Sequence, residues 1–227
     1  MQCVILAAGK GTRMRPLTEQ TPKPLIEVCG KPLLQHIVEA LPDEVDEIIL
    51  VVNYLEEQIR RHCGLHYCGK LVQYVHQENA VGGTGEALLA AAPLIEGRFM
   101  FMYADDIHGS YALKAAVTYP YAMLSVQHDE PQHFGVLDLN SDGTLKAIHE
   151  KPAEPTSNLI NIGGMVLDKK IFKYDVARSA NGELYVTDMV TAFAQDYPVM
   201  VVEQSLWLPL GKPEDILAAE KMLGCNR

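Results

Sequence analysis

The chain has no apolar run approaching the ~20 residues a helix needs to cross a bilayer, so no membrane partner is expected. It also lacks basic excess. Nineteen Lys and Arg stand against 29 Asp and Glu, a formal net charge of −10. That balance excludes the broad cationic face that nucleic-acid binding requires. Cysteine is scarce, and the five present (Cys3, Cys29, Cys63, Cys68, Cys225) show no disulfide-framework spacing. An odd count suits a reducing compartment. His62, Cys63, His66 and Cys68 lie close together, but the second half of a zinc motif is missing and Gly64 reads as a helix end there. No 20–50-residue repeat, low-complexity tail or Pro/Gly/Ser linker interrupts the chain. The opening apolar stretch, Gln2 to Ala7, is too short for a secretory signal and has no basic flank. These absences predict a soluble, cytoplasmic, globular protein.

What is present is an uneven charge map and a regular alternation of elements. Residues 1–31 carry five cations (Lys10, Arg13, Arg15, Lys23, Lys31) against two acids, whereas the remainder carries 14 against 27. An acidic protein that gathers its cations into one segment points to a small anionic ligand bound there. Buried-type strands are expected at Gln2–Ala7, Glu47–Asn53, Lys70–Val75 and Phe99–Tyr103. Helices are expected between them, one opening at Lys31-Pro32 with Leu33, Leu34, Ile37, Val38 and Leu41 on one face, others near 55–61 and 84–92. This β-α-β-α period predicts an α/β, Rossmann-like open sheet, mixed but mainly parallel and flanked by helices. Beyond about residue 120 the pattern loosens. Strands are expected at 121–126, 134–139, 144–149 and 163–167, with Asn140-Ser-Asp-Gly143 as a hairpin turn and helices at 185–194 and 213–223. We read one domain over 1–227 with two lobes, at about 1–118 and about 119–227.

The chemistry concentrates in the loop after the first strand, LAAGKGTRMRPLTEQTPKPL. Ligands of open parallel sheets bind at the carboxyl ends of the strands, where this loop lies. Gly9 and Gly11 let backbone N–H groups approach phosphate oxygens, Arg13 can grip phosphate through two parallel bonds, and Lys23 adds a point charge. The loop is neither of two common phosphate motifs. Lys10 stands between glycines rather than after the last one, and Met14 occupies the third-glycine position of the dinucleotide pattern. The plain alternative is a basic surface loop with no ligand.

Gly9-Lys-Gly-Thr-Arg-Met-Arg-Pro-Leu-Thr18, followed by Pro22-Lys23-Pro24, resembles the signature of the sugar-phosphate nucleotidylyltransferases, also called NDP-sugar pyrophosphorylases. The resemblance continues in order along nearly the whole chain, through Gly83-Thr84-Gly85, Tyr103-Ala104-Asp105, Phe134-Gly135, Glu150-Lys151-Pro152, Asn161-Ile-Gly163, Gly182-Glu183 with Thr187-Asp188, and Trp207 to Asp215. It implies transfer of a nucleotidyl group from a nucleoside triphosphate to a sugar-1-phosphate with release of pyrophosphate. It implies Arg13 and Lys23 as the catalytic cations at the triphosphate, and nucleotide contacts at Leu6, Ala8, Gly9, Gly11, Thr12, Gln77, Gly83 and Thr84. Gly135, Glu150, Lys151 and Asn161 would meet the sugar phosphate. Asp105 would hold Mg²⁺, a hard cation suited to carboxylate oxygens.

The attacking phosphate is largely deprotonated at pH 7, its second pKa being about 6, so no general base is needed. The difficulty is holding two polyanions in line while charge moves to the leaving group. Asp105 read alone is a turn or helix-cap aspartate, and Asp106 beside it is a second candidate carboxylate. Gln77 could pair with a pyrimidine edge, which favours UTP or dTTP, while Glu86 reads equally well as a solvated helix residue. One departure stands out. Many family members carry an aspartate two residues after the tryptophan, completing the metal site, where this chain has Pro209. The alternatives are therefore cytidylyl or guanylyl transfer to another phosphorylated substrate, and a catalytically weakened nucleotide-sugar-binding regulator. At 227 residues, with no hexapeptide repeat, an appended acyltransferase domain is not expected. The sequence is compatible with a monomer or a homo-oligomer.

Overall fold

The computed structural model describes residues 1–79 and 81–225. In chain order the strands of the first half are β1 (Gln2–Leu6), β2 (Glu27–Val28), β3 (Lys31–Pro32), β4 (Glu47–Val52), β5 (His66–Tyr67), β6 (Lys70–His76), β7 (Arg98–Tyr103) and β8 (Asp106–His108). Its helices are α1 (Leu33–Ala40), α2 (Glu56–Cys63), α3 (Thr84–Ala91) and α4 (Ser110–Ala116). The second half adds β9 (Ala122–Gln127), β10 (Gly135–Leu139), β11 (Leu145–Glu150), β12 (Leu159–Asp168), β13 (Met200–Glu203) and β14 (Trp207–Pro209), with α5 (Val186–Ala194) and α6 (Pro213–Met222).

One mixed, open sheet runs β11-β10-β12-β7-β1-β4-β6-β5, and β9 and β13 join it through β12. Its centre is parallel, β1 lying between β7 and β4, and β4 pairing β6. The strands of that centre read as unbroken apolar runs because both faces are covered. Cys3 and Ile5 face one layer and Val4 the other; Met100 and Met102 oppose Phe99 and Phe101 in the same way. Helices α1, α4 and α6 bury Leu33, Leu34, Ile37, Leu113 and Ile216 on the first face. Helices α3 and α5 bury Leu88, Ala91, Val190 and Phe193 on the second. Each fully buried Leu, Ile or Phe contributes roughly 1.5–3 kcal/mol, so the two layers fix the sheet's register firmly.

Three sequence expectations need correction. Lys31-Pro32 does not open α1; it pairs with Glu27-Val28 as a short hairpin, and Pro32, with extended ψ, caps the helix that begins at Leu33. The strand expected at 163–167 is the second half of the longer β12. Gly163 (φ 75°) and Gly164 (φ 68°) bulge at its middle, and the alternation breaks there. Third, Cys29 and Cys225 form a disulfide across 196 residues, with Cα atoms 5.7 Å apart. Spacing along the chain could not reveal it, because α6 folds back beside the β2–β3 turn. The Glu220 side chain also accepts from the Cys29 amide at 3.3 Å there. Among the described residues no helix is long and apolar enough to cross a membrane.

Candidate active site

The carboxyl ends of β1, β6 and β7 open onto a cavity of about 400 Å³. Its wall includes Leu6, Ala8, Gly9, Gly11, Thr12, Arg13, Lys23, Gln77, Gly83, Thr84 and Asp105, so eleven residues singled out from the sequence are brought together there. The size suits a nucleotide-scale ligand.

The loop leaving β1 is held in three 3₁₀ turns, Thr12–Met14, Leu17–Glu19 and Lys23–Leu25. Gly11 adopts φ 58°, and a Cβ there would lie 3.0 Å from Thr18 Cγ2 and 3.2 Å from Lys23 Cβ. Glycine is therefore required both for conformation and for close packing. The Thr18 hydroxyl donates to Gly11 O at 2.8 Å, the Tyr54 hydroxyl donates to Thr18 O at 2.9 Å, and the Gln58 amide donates to Gln20 O at 2.9 Å. Met14 is buried beneath the loop. The loop is thus anchored from its own interior and from the segment after β4, which preorganises its N–H groups and cations.

Lys23 is only 8% exposed, and its Nζ lies 3.3 Å from Asp105 Oδ2. Asp105 follows β7 in a turn, and the chain re-enters a strand at once: β8 pairs antiparallel with β14, setting Asp106 opposite Pro209 and His108 opposite Trp207. The Trp207 indole N–H donates to Asp106 Oδ2 at 2.8 Å. Burial, and then the Asp105 charge beside it, push the Asp106 carboxyl well above the usual carboxylate range. His108 is 2% exposed, and among the described residues neither of its ring nitrogens finds a hydrogen-bond partner. Burial depresses it to about 4, so its imidazole is neutral.

Gln77 follows β6 and is buried, with its Nε2 donating to Asn79 O at 2.9 Å and to Gly83 O at 3.5 Å. The amide is held by carbonyls, so its Oε1 is the polar atom it can offer to the cavity. Tyr103 lies at the far side of the cavity wall, and burial, then Glu150 and Asp105, push its hydroxyl upward. A Cβ on Gly163 would come 2.6 Å from Tyr103 Cδ2, so that glycine is the seat of the ring.

Gly135, Glu150 and Asn161 form a second group outside the cavity wall proper. A Cβ on Gly135 would stand 3.3 Å from Glu150 Oε2 and 3.6 Å from Asn161 Cβ. Asn161 Oδ1 accepts from the Gly163 amide at 3.0 Å, tying its side chain to the β12 bulge. The Thr187 hydroxyl reaches Glu150 Oε2 at 3.5 Å. Lys151 is set apart, its side chain 65% exposed and its Nζ 3.7 Å from Glu150 Oε1. Its φ of 45° is an uncommon left-handed conformation for lysine. Phe134 and Trp207 stack edge to face with centroids 5.7 Å apart, and His128 lies 4.7 Å from Phe134.

Sequence reasoning did not single out Tyr103, Val81, Glu183 and Gly211 as site residues, though all line the cavity. Tyr103, Glu183 and Gly211 stand inside the motifs that carry the family resemblance, but the place of Glu183 and Gly211 at the cavity depends on chain folding back from the second half.

This constellation has counterparts. A family model described as "Nucleotidyl transferase" matches residues 2–224. The chain belongs to that family, as the phosphate loop and the landmarks after it implied. Among curated relatives, the bifunctional protein GlmU of Methanocaldococcus jannaschii is 37% identical over 98% of this chain and 54% of its own length. The UTP–glucose-1-phosphate uridylyltransferase AglF of Haloferax volcanii is 34% identical over 98% of this chain and 96% of its own. The chain spans about half the length of the first curated relatives it matches. Among solved structures, a Bacillus anthracis protein assigned as a glucose-1-phosphate thymidylyltransferase superposes with TM-score 0.88 at 25% identity, covering 100% of this chain and 96% of that one. A UDP-glucose pyrophosphorylase holding UDP-glucose gives 0.86 at 23% identity, covering 100% and 99%, which speaks for the fold.

Proposed function

We propose that this chain is a sugar-1-phosphate nucleotidylyltransferase that uses UTP or dTTP. The observation that carries this reading is the convergence of the Gly9–Thr12 backbone, Arg13, Lys23 and Asp105 on one cavity that also holds Gln77. Arg13 and the loop amides would grip the triphosphate, and buried Lys23 would sit where charge develops as pyrophosphate leaves. A phosphate oxygen of the acceptor attacks the α-phosphorus, the P–O bond to pyrophosphate breaks, and no proton need be moved. Gln77 supports the choice of base. With Nε2 occupied by two carbonyls, Oε1 is left to accept from the N3–H of uracil or thymine, a donor that cytosine lacks. Glu150 and Asn161 would bond acceptor hydroxyls, Gly135 would let the sugar approach, and Lys151 would meet the acceptor's phosphate. We read the chain as one domain whose two lobes, about 1–118 and 119–227, supply these two halves of the site, and as cytoplasmic.

Mg²⁺ fits the residues present. Asp105 and Asp106 are adjacent carboxylates beside the phosphate loop, and Mg²⁺ characteristically binds one or two carboxylates plus substrate phosphates and water. Pro209 contributes no side-chain oxygen, but Asp106 stands directly across the ladder from it, on the same face. Asp105 would hold the ion, and Asp106 would join it only in its deprotonated form; when bound, the ion would neutralise charge on the phosphates.

Pro209 and the Lys23–Asp105 ion pair also favour a second reading, a nucleotide-sugar-binding regulator with weakened turnover. Pyrophosphate release from a panel of triphosphates and sugar-1-phosphates with Mg²⁺ separates the two. Release that is fastest with UTP or dTTP supports the first. Tight nucleotide binding without release in any combination supports the second.

A further inference from the structure

The stretch from Arg178 to Tyr185, ahead of α5, belongs to no regular element, yet it is closely tied to the first half of the chain. The Leu184 amide donates to Gly82 O at 2.8 Å and Leu184 O accepts from the Gly85 amide at 2.7 Å, so two unrelated segments pair main chain to main chain. The Val186 amide donates to the Thr84 hydroxyl oxygen at 3.1 Å. Glycines make this approach possible: a Cβ on Gly83 would lie 2.5 Å from Leu184 O, and one on Gly85 would lie 2.6 Å from Leu184 Cγ. Within the stretch, the Glu183 amide donates to Asn181 Oδ1 at 3.0 Å, the Ser179 amide to Glu183 O at 2.9 Å, and the Gly182 amide to Ser179 O at 2.9 Å. The result is a tight loop that delivers Glu183 to the cavity wall beside Gly83 and Thr84.

Among the described residues, one side-chain ion pair spans the seam. The Arg178 guanidinium donates from Nη2 to the Glu86 carboxylate in the first turn of α3, and from Nη1 to Gly182 O at 3.0 Å. A single planar fork therefore grips both the docked loop and the helix that the loop docks against. Glu86 is the more sheltered partner, its side chain 19% exposed against 48% for Arg178. The other side of the seam has its own support: Gln77 holds Asn79 O and Gly83 O. Losing Arg178 should thus loosen the loop that carries Glu183 and leave the base-side segment in place.

We propose that Arg178 is a positioning residue for the acceptor: paired with Glu86, it docks the 178–185 loop so that Glu183 faces the substrate that receives the nucleotidyl group. The assignment rests on the reaction proposed above, and it sharpens the reading of Glu86, which is a structural partner in a latch between the two halves of the chain.

The test uses Arg178→Ala, Arg178→Lys, Glu86→Gln and the Arg178→Ala/Glu86→Gln double variant, each with the substrate pair giving the fastest pyrophosphate release. Partly exposed ion pairs are worth about a factor of 2–5, and the added bond to Gly182 raises the expected effect, so the acceptor KM should rise roughly three- to tenfold. The KM of the triphosphate and kcat should stay within about twofold, and Glu86→Gln, which leaves the bond to Gly182 intact, should raise the acceptor KM in the same direction but by less than Arg178→Ala. The double variant should be no worse than the poorer single one, because both remove the same pair. Arg178→Lys, which keeps charge without the fork, should fall between wild type and Arg178→Ala. Amide exchange at Leu184 and Gly85, read without substrate, should quicken in the same variants. An unchanged acceptor KM, equal rises in both KM values, an additive double variant or unaltered exchange at Leu184 and Gly85 each overturns the latch. If wild type releases no pyrophosphate from any pair, the proposed reaction falls, and the exchange measurement decides on the latch alone.

Discussion

His108→Leu isolates a buried cost that the fold carries and gives it a pH signature. In the native state His108 is neutral, and burial holds it near 4, against 6.5 for an ordinary histidine. An unfolded chain takes up a proton at this site below about pH 6.5, whereas the folded chain does so only near pH 4. Stability therefore falls as pH drops through that window, and the loss is complete below it. The gap of about 2.5 pKa units at 1.36 kcal/mol each gives a penalty on the order of 3 kcal/mol between pH 7 and pH 4. Asp106 acts in the opposite sense. Burial and the neighbouring Asp105 charge raise its carboxyl, so the folded state binds its proton more tightly and gains stability as pH falls. The two effects overlap in wild type, so the difference between wild type and His108→Leu is the quantity to measure. Leucine removes both unpartnered nitrogens, and an unpaired buried polar group costs about 1–3 kcal/mol, so the variant should match or exceed wild-type stability at pH 7. Urea titrations in half-unit steps from pH 7.5 to 4 should show its advantage growing by about 3 kcal/mol toward the acid end. Parallel stability curves for the two proteins, or a His108 ring resonance titrating near 6.5, would refute the reasoning.

Other consequences can be checked alongside it. Asp105→Asn should lower pyrophosphate release by about 100-fold or more and weaken Mn²⁺ binding measured by paramagnetic resonance, while shifting the urea midpoint little, because its partly exposed pair with Lys23 is worth only about 1 kcal/mol. A loss of stability in step with activity would count against a metal-holding role. Arg13→Ala with Lys23→Ala should abolish turnover, since both charges act on the transferring phosphates; preserved turnover would mean the loop is only a basic surface. Gly163→Ala must place a side chain at left-handed φ and against the Tyr103 ring, for a destabilisation of about 2–4 kcal/mol by urea titration; a neutral effect would contradict the seat assigned to that ring. Gln77→Leu should raise the KM for UTP or dTTP about tenfold or more, as expected when a base loses one buried hydrogen bond, with the acceptor KM unaffected; equal rises in both would remove Gln77 from the base site.

Much of the parallel centre was legible because its strands are buried on both faces and its helices follow at the usual interval. β1, β4, β6 and β7 fall within a residue or two of the apolar runs that announced them. The phosphate loop was legible too, since Gly9, Gly11, Arg13 and Lys23 sit in one contiguous stretch and their chemistry is local. What stayed hidden depends on distance along the chain. β8 and β14 are three residues each, and neither has a pattern that signals a strand until the other lies beside it. The short β13 reads as a strand only once β9 is there to pair with it. Glu183 and Gly211 arrive at the cavity from the second half, carried by a loop and by the turn ahead of α6. Cys29 and Cys225 are paired by the return of the last helix, which no count of cysteines reveals.

That last bond changes the topology of the molecule. Joined 196 residues apart, Cys29 and Cys225 close residues 29–225, both halves of the cleft included, into a covalent ring. A single proteolytic cut inside the ring, the 178–185 loop included, opens it without releasing a fragment. The nicked protein would run as one species on a non-reducing gel and as two after reduction. The exposed seam of the active site can thus be severed while its two walls remain tethered to each other.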